Sequence, residues 1–140
     1  MKVCINCSKP IGSYATKYCS NLCQSEYRYK TYIYSWKQGF SSGGRGISTR
    51  NISKHVQRYL LIKYSSQCSR CGWCKVNPVI GHSPLEIDHI DGDSENNSEN
   101  NLVLLCPNCH SLTPTYKNLN KGHGRSWRTE KYVKIIKMPL

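Results

Sequence analysis

Nine cysteines occur in the 140 residues, and eight of them fall into short pairs: Cys4-x2-Cys7, Cys19-x3-Cys23, Cys68-x2-Cys71 and Cys106-x2-Cys109. Spacings of this kind turn two thiolates toward one ion, and two pairs complete a tetrahedron. The expectation is therefore two structural Zn²⁺, one on Cys4, Cys7, Cys19 and Cys23, the other on Cys68, Cys71, Cys106 and Cys109. Secreted disulfide scaffolds rarely repeat such close pairing, so the chain reads as a reduced, intracellular, cytoplasmic protein. Cys74 is the odd thiol: it either competes for zinc through Cys71-x2-Cys74 or stands by. Staples of this sort suit a chain with one Phe, two Met and 38% hydrophobic residues, which can bury only a modest apolar core.

Charge separates a second kind of chemistry from the first. The net charge is +12, yet residues 1–66 carry eleven basic and one acidic residue, residues 67–110 two basic and six acidic, and residues 111–140 seven basic and one acidic. Two Cys4 zinc sites would lower the effective charge to about +8, still suited to a polyanion. An acidic island between basic wings points to a cation site inside a phosphate-binding surface. The plain alternative is a basic protein with a solvated acidic loop. The beginning MKVCINC lacks the apolar run of a signal peptide, and no stretch approaches the ~18 apolar residues of a membrane span, so no membrane partner is expected.

The elements that must position these groups fall into four segments. Residues 1–36 join the first cysteine set to an aromatic-basic stretch, YRYKTYIYSW, in which Tyr29, Ile33 and Trp36 recur at helical spacing while Arg28 and Lys30 can meet phosphates. Residues 37–66 hold a Gly/Ser-rich linker, GFSSGGRGIS, and then a helix to about Tyr64, capped by Asn51 or Ser53 and carrying Arg50, Lys54 and Arg58 on one face. Residues 67–118 read as two strands and a helix. Leu85–Ile90 alternates as a half-buried strand does, Asn101–Leu105 is more apolar, and Pro107 suits a first helical turn that Pro114 limits. The run from Asp91 to Asn100 contains no apolar residue except Gly92, so an exposed connection is expected there. Residues 119–140 form a basic arm with Lys121, Arg125 and Arg128, suited to following a sugar-phosphate backbone.

EIDHIDGD followed by NNLVLLCPNCHSL resembles the HNH nucleases built on a ββα-metal core, and CGWCKVNP with LNKGHGR resembles phage and prophage HNH proteins that begin with a zinc knuckle. The implied fold class is α+β: a small zinc-stapled ββα-metal core with an N-terminal Cys4 module and helices. The resemblance implies that His89 is the general base toward water, that Asp88 and His110 hold one catalytic divalent ion, Mg²⁺ or Mn²⁺, and that Asn101 orients the loop against the strand. It further implies hydrolysis of double-stranded DNA to 5′-phosphate and 3′-hydroxyl ends. A homodimer and phage or host DNA-processing proteins are further candidate partners.

Other readings stand beside these. His110 adjoins a Cys-x2-Cys and could be a zinc ligand, but four cysteines already fill that tetrahedron. Adjacent strand residues face opposite sides, so Asp88 and His89 serve one site only if the strand bends or ends there; Gly92 suits such a break. Glu86, on the Asp88 face, either supports the metal site or is simply exposed. His55, His82 and His123 show no partner pattern. A zinc-dependent nucleic-acid-binding module without cleavage would explain charge and cysteines equally well, though not the complete set Asp88, His89 and His110.

Overall fold

A computed structural model describes residues 1–45 and 51–120 of the chain. The chain divides into two compact units, Met1–Ser41 and Ser42–Leu140.

The first unit begins with a bridge between Val3 and Pro10 that folds the intervening residues into a tight knuckle. The Cys4 amide donates to Lys9 O at 2.9 Å and the Ser8 amide to Cys4 O at 2.8 Å. Helix α1 (Asn21–Lys37) takes up the whole aromatic-basic stretch and starts earlier than its apolar spacing suggests. The reason is Ser20, whose Oγ accepts from the Cys23 amide at 3.2 Å, so the same turn caps the helix and places the last cysteine of the set. At the other end Gly39, at φ 81, lets the Gly39 amide donate to Trp36 O and the Phe40 amide to Ser35 O. This pairing satisfies carbonyls that the helix would leave open. Ile33 and Trp36 are buried, while Arg28 and Lys30 are exposed.

In the second unit, Gly43–Arg45 lie within the stretch whose composition suits a flexible linker, yet they pair with Asn51–Ser53. The Arg45 amide donates to Asn51 O and the Ser53 amide to Gly43 O. Helix α2 (Lys54–Lys63) follows, with the Ser53 Oγ accepting from the His55 amide at 3.2 Å. Strands β1 (Glu86–His89) and β2 (Leu102–Leu105) pair antiparallel with Glu86 opposite Leu105 and His89 opposite Leu102. Helix α3 (Pro107–Ser111) closes the ββα unit and packs against both strands.

The two faces of this hairpin have different partners. Helix α2 packs against β2, and Val56, Leu60, Leu102 and Leu104 are almost completely inaccessible. Each such side chain contributes about 1.5–3 kcal/mol. Leu105 belongs to a cluster with Cys68, Cys106 and Cys109, against which Trp73, Leu85 and Val103 pack. The cysteine knuckle is tied to the sheet by the Ser69 amide, which donates to Leu104 O at 2.8 Å. Among the described residues no helix is long and apolar enough to cross a membrane.

Candidate metal centres and active site

Each unit gathers four cysteines. The sulfurs of Cys4, Cys7, Cys19 and Cys23 lie within 4.8 Å of one another, and so do those of Cys68, Cys71, Cys106 and Cys109. The spacings Cys7–Cys19 at 3.6 Å, Cys19–Cys23 at 3.3 Å and Cys71–Cys106 at 3.7 Å approach the ~3.8 Å edge of a tetrahedron with ~2.3 Å zinc–sulfur bonds. Burial raises the Cys68 thiol, but the backbone amides of Cys106, Cys71 and Arg70 outweigh it and bring its pKa down to about 6. Cys4 falls to about 6 through the same balance, with amides of Cys19, Cys7 and Asn6. Their neighbours hold the protons: desolvation and adjacent thiols push Cys109 up to about 12, and hydrogen bonds to Cys23 and Cys7 push Cys19 up to about 12. Four thiols this close ionise together only around a cation, so both sets fit a dication. Cys74 stands outside both.

The second chemistry lies along β1. Residues opposite one another in an antiparallel pair share a face, so Glu86 and Asp88 lie with Val103 and Leu105 on the side of α3. There His110, which α3 presents in its last turn, meets both carboxylates. Its Nε2 is 3.5 Å from Asp88 Oδ1, and its Nδ1 hydrogen-bonds Glu86 Oε2. The carboxylates thus occupy opposite ring nitrogens. An octahedral ion with ~2.1 Å bonds spaces neighbouring ligands about 3 Å apart, so Asp88 and the His110 Nε2 fit one divalent cation with little adjustment. Glu86 then sits behind the imidazole and fixes its orientation.

His89 is the last residue of β1, and among the described residues no hydrogen bond or ion pair joins it to His110. The His89 Nε2 lies 2.7 Å from Asn97 Oδ1. A carbonyl oxygen only accepts, so Nε2 carries the proton and Nδ1 keeps its lone pair. After His89 the chain turns at once, with the Gly92 amide donating to His89 O at 2.9 Å and Gly92 at φ 74.

Asn101 does not open β2 but ends a 3-10 turn, Glu99–Asn101, and is buried. Its Nδ2 donates to Asp91 Oδ1 and Asn96 O, each at 2.8 Å, while its Oδ1 accepts from the Asp91 amide at 3.0 Å. The loop expected to be an exposed connection is therefore partly buried at Gly92 and Asn97. Side-chain hydrogen bonds replace apolar packing there, which composition does not reveal. Asn97, Asp91 and Tyr116, whose ring lies edge-on to His110 at 5.1 Å between centroids, are site neighbours that the motif letters miss.

Residues 68–113 match the family model of the HNH endonucleases. Residues 68–113 are an HNH endonuclease domain. Over 59 residues the chain is also 48% identical to the H-N-H endonuclease F-TflIV of Escherichia phage T5, a match covering 40% of this chain and 24% of that relative. The chain thus spans about a quarter of the length of the curated relative it matches. No solved structure matches the chain. Within the HNH domain lie Asp88, His89, Asn101 and His110 together with the second cysteine set. Of the cations expected to meet nucleic acid, Arg28, Lys30 and Lys54 are exposed on helices, with Lys30 Nζ donating to Asn6 Oδ1 at 3.4 Å. Arg50, Lys121, Arg125 and Arg128 lie outside the described residues.

Proposed function

We propose that the chain is a DNA endonuclease that hydrolyses phosphodiester bonds of the duplex with one divalent ion, Mg²⁺ or Mn²⁺, leaving 5′-phosphate and 3′-hydroxyl ends. The observation that carries this reading is the meeting of Asp88 and His110 across β1 and α3, within a domain of a nuclease family. When bound there, the ion supplies Lewis-acid stabilisation of charge developing on the phosphate and the leaving oxygen. His89 takes the proton of the attacking water on Nδ1, because Asn97 holds the other nitrogen protonated. Its place at the end of β1, where the pleat gives way to the Gly92 turn, frees its ring from strict alternation. Glu86 keeps the His110 imidazole turned toward Asp88, and Asn101 ties the loop bearing Asn97 to the start of β2. The two cysteine sets carry structural Zn²⁺, which suits a reducing intracellular compartment.

The test is incubation of supercoiled plasmid with zinc-loaded full-length protein and Mg²⁺ or Mn²⁺. Nicked or linear product whose ends a DNA ligase reseals is expected. His89→Ala should abolish cleavage and leave folding and DNA binding intact. Wild type that binds DNA but never cuts it would make the chain a binding module instead.

A further inference from the structure

The HNH site has an electrostatic deficit. Residues 76–116 contain neither Lys nor Arg, while Glu86 and Asp88 flank His110. A divalent ion at Asp88 and His110 would neutralise those two carboxylates and leave no net attraction for an incoming phosphate. The first cation after this stretch is Lys117, and the chain around it is fixed at both ends against the site.

At one end the Thr113 amide and Oγ1 both donate to His110 O, at 3.1 and 2.9 Å, and Thr113 is buried. Tyr116 then lies edge-on to the His110 ring. At the other end Asn120 Nδ2 donates to Gly92 O at 2.6 Å, in the turn that follows His89. A Cβ at Gly92 would lie 2.4 Å from Asn120 Oδ1 and 2.8 Å from Thr115 Cγ2, so this docking depends on the glycine. Between these anchors Lys117 adopts φ 46, a left-handed backbone that a side chain disfavours. Its Nζ lies 4.9 Å from the centre of the Tyr116 ring, and the residue is exposed.

We propose that Lys117 is a substrate-contacting residue of the HNH site, its ammonium held over the Tyr116 ring, which itself packs on His110, to take a nonbridging oxygen of the phosphate that is cut. The inference rests on the nuclease reading above. The hydrogen bond to Tyr116 and the charge of Glu86 raise the Lys117 pKa, so the group acts as a fixed cation and not as a proton acceptor. A donor aimed at phosphate charge in such a site changes turnover by about 10²–10³-fold.

The experiment compares full-length wild type with Lys117→Gly and Lys117→Arg. Glycine is at ease at φ 46, so Lys117→Gly should melt at the wild-type temperature or above it while single-turnover cleavage falls at least about 100-fold. Lys117→Arg should stay within about tenfold of wild type, because charge and reach are kept. Duplex affinity, measured by anisotropy at several salt concentrations without added divalent metal, should lose about one unit of salt slope in Lys117→Gly alone. Wild-type cleavage and salt slope in Lys117→Gly, or Lys117→Arg as inactive as Lys117→Gly, overturns the assignment. If wild type itself cuts nothing, the nuclease reading fails, and the salt slope still decides whether Lys117 meets phosphate.

Discussion

Histidines 89 and 110 are each steered by one oxygen: Asn97 Oδ1 fixes the proton of the first, and a Glu86 carboxylate oxygen occupies the Nδ1 of the second. The two supports act on different steps, so they separate in kinetics. Asn97→Ala should lower kcat by about 10–100-fold with KM little changed, since it frees the His89 tautomer without touching DNA. Asn97→Asp, which keeps an acceptor, should retain more activity than the alanine. Glu86→Ala should instead weaken Mn²⁺ binding by about 10–100-fold in calorimetric titration of the zinc-loaded protein, and raising Mn²⁺ should recover cleavage. Unaltered Mn²⁺ affinity would leave Glu86 a mere surface carboxylate. Asp88, His89, Asn101 and His110 stand out in the sequence because their spacing is a pattern, and of these the fold joins Asp88 to His110. Asn97 does not stand out, for it lies in a run with Asn96, Asn100 and Asn101, and only the folded loop decides which amide turns inward.

At the scale of elements, hairpin and helices follow from alternation, Pro107 and the Ser20 and Ser53 caps, whereas the loop between the strands obeys another rule. Asp91 is its hub, accepting from the Asn96 and Asn101 amides and the Asp93 backbone at 2.7–2.8 Å. The Asn96 hydrogen bond first, then the Asp93 and Asn101 bonds and the His89 charge, hold its carboxyl below the ordinary 3.8. A carboxyl whose folded pKa lies below its unfolded value stabilises the loop fully above the unfolded value and loses that contribution as pH falls through the folded one. Hydrogen exchange of the Asp93 and Asn101 amides should therefore stay slow from neutral pH down to about 3.8 and accelerate below it. Asp91→Asn should expose these amides at every pH. Gly92→Ala should cost about 1–3 kcal/mol by strain at φ 74 and by collision with Asn120 and Thr115, read as a lower thermal midpoint and weakened cleavage. Composition hid this docking, because it joins residues far apart in sequence through one missing Cβ.

For the whole molecule, the two cysteine sets read from sequence fall one in each of the two units. A unit as small as Met1–Ser41, with little more than Cys4, Ile33 and Trp36 buried, should need an ion on its four cysteines to fold. Cys7→Ser should therefore reduce bound zinc from two ions to one, measured by elemental analysis, and unfold the first unit alone. Because that unit holds six basic residues against Glu26, its loss should raise KM for DNA while turnover at saturating DNA stays within a few-fold. Cys71→Ser also removes one zinc, but from the knuckle whose partners Cys106 and Cys109 begin α3, so the helix that carries His110 loses its tether to the hairpin. Cleavage should then vanish even at saturating DNA. Equal loss of turnover in both variants would mean that the first unit contributes to the chemistry itself, and the division of labour between a binding unit and a cutting unit would fall.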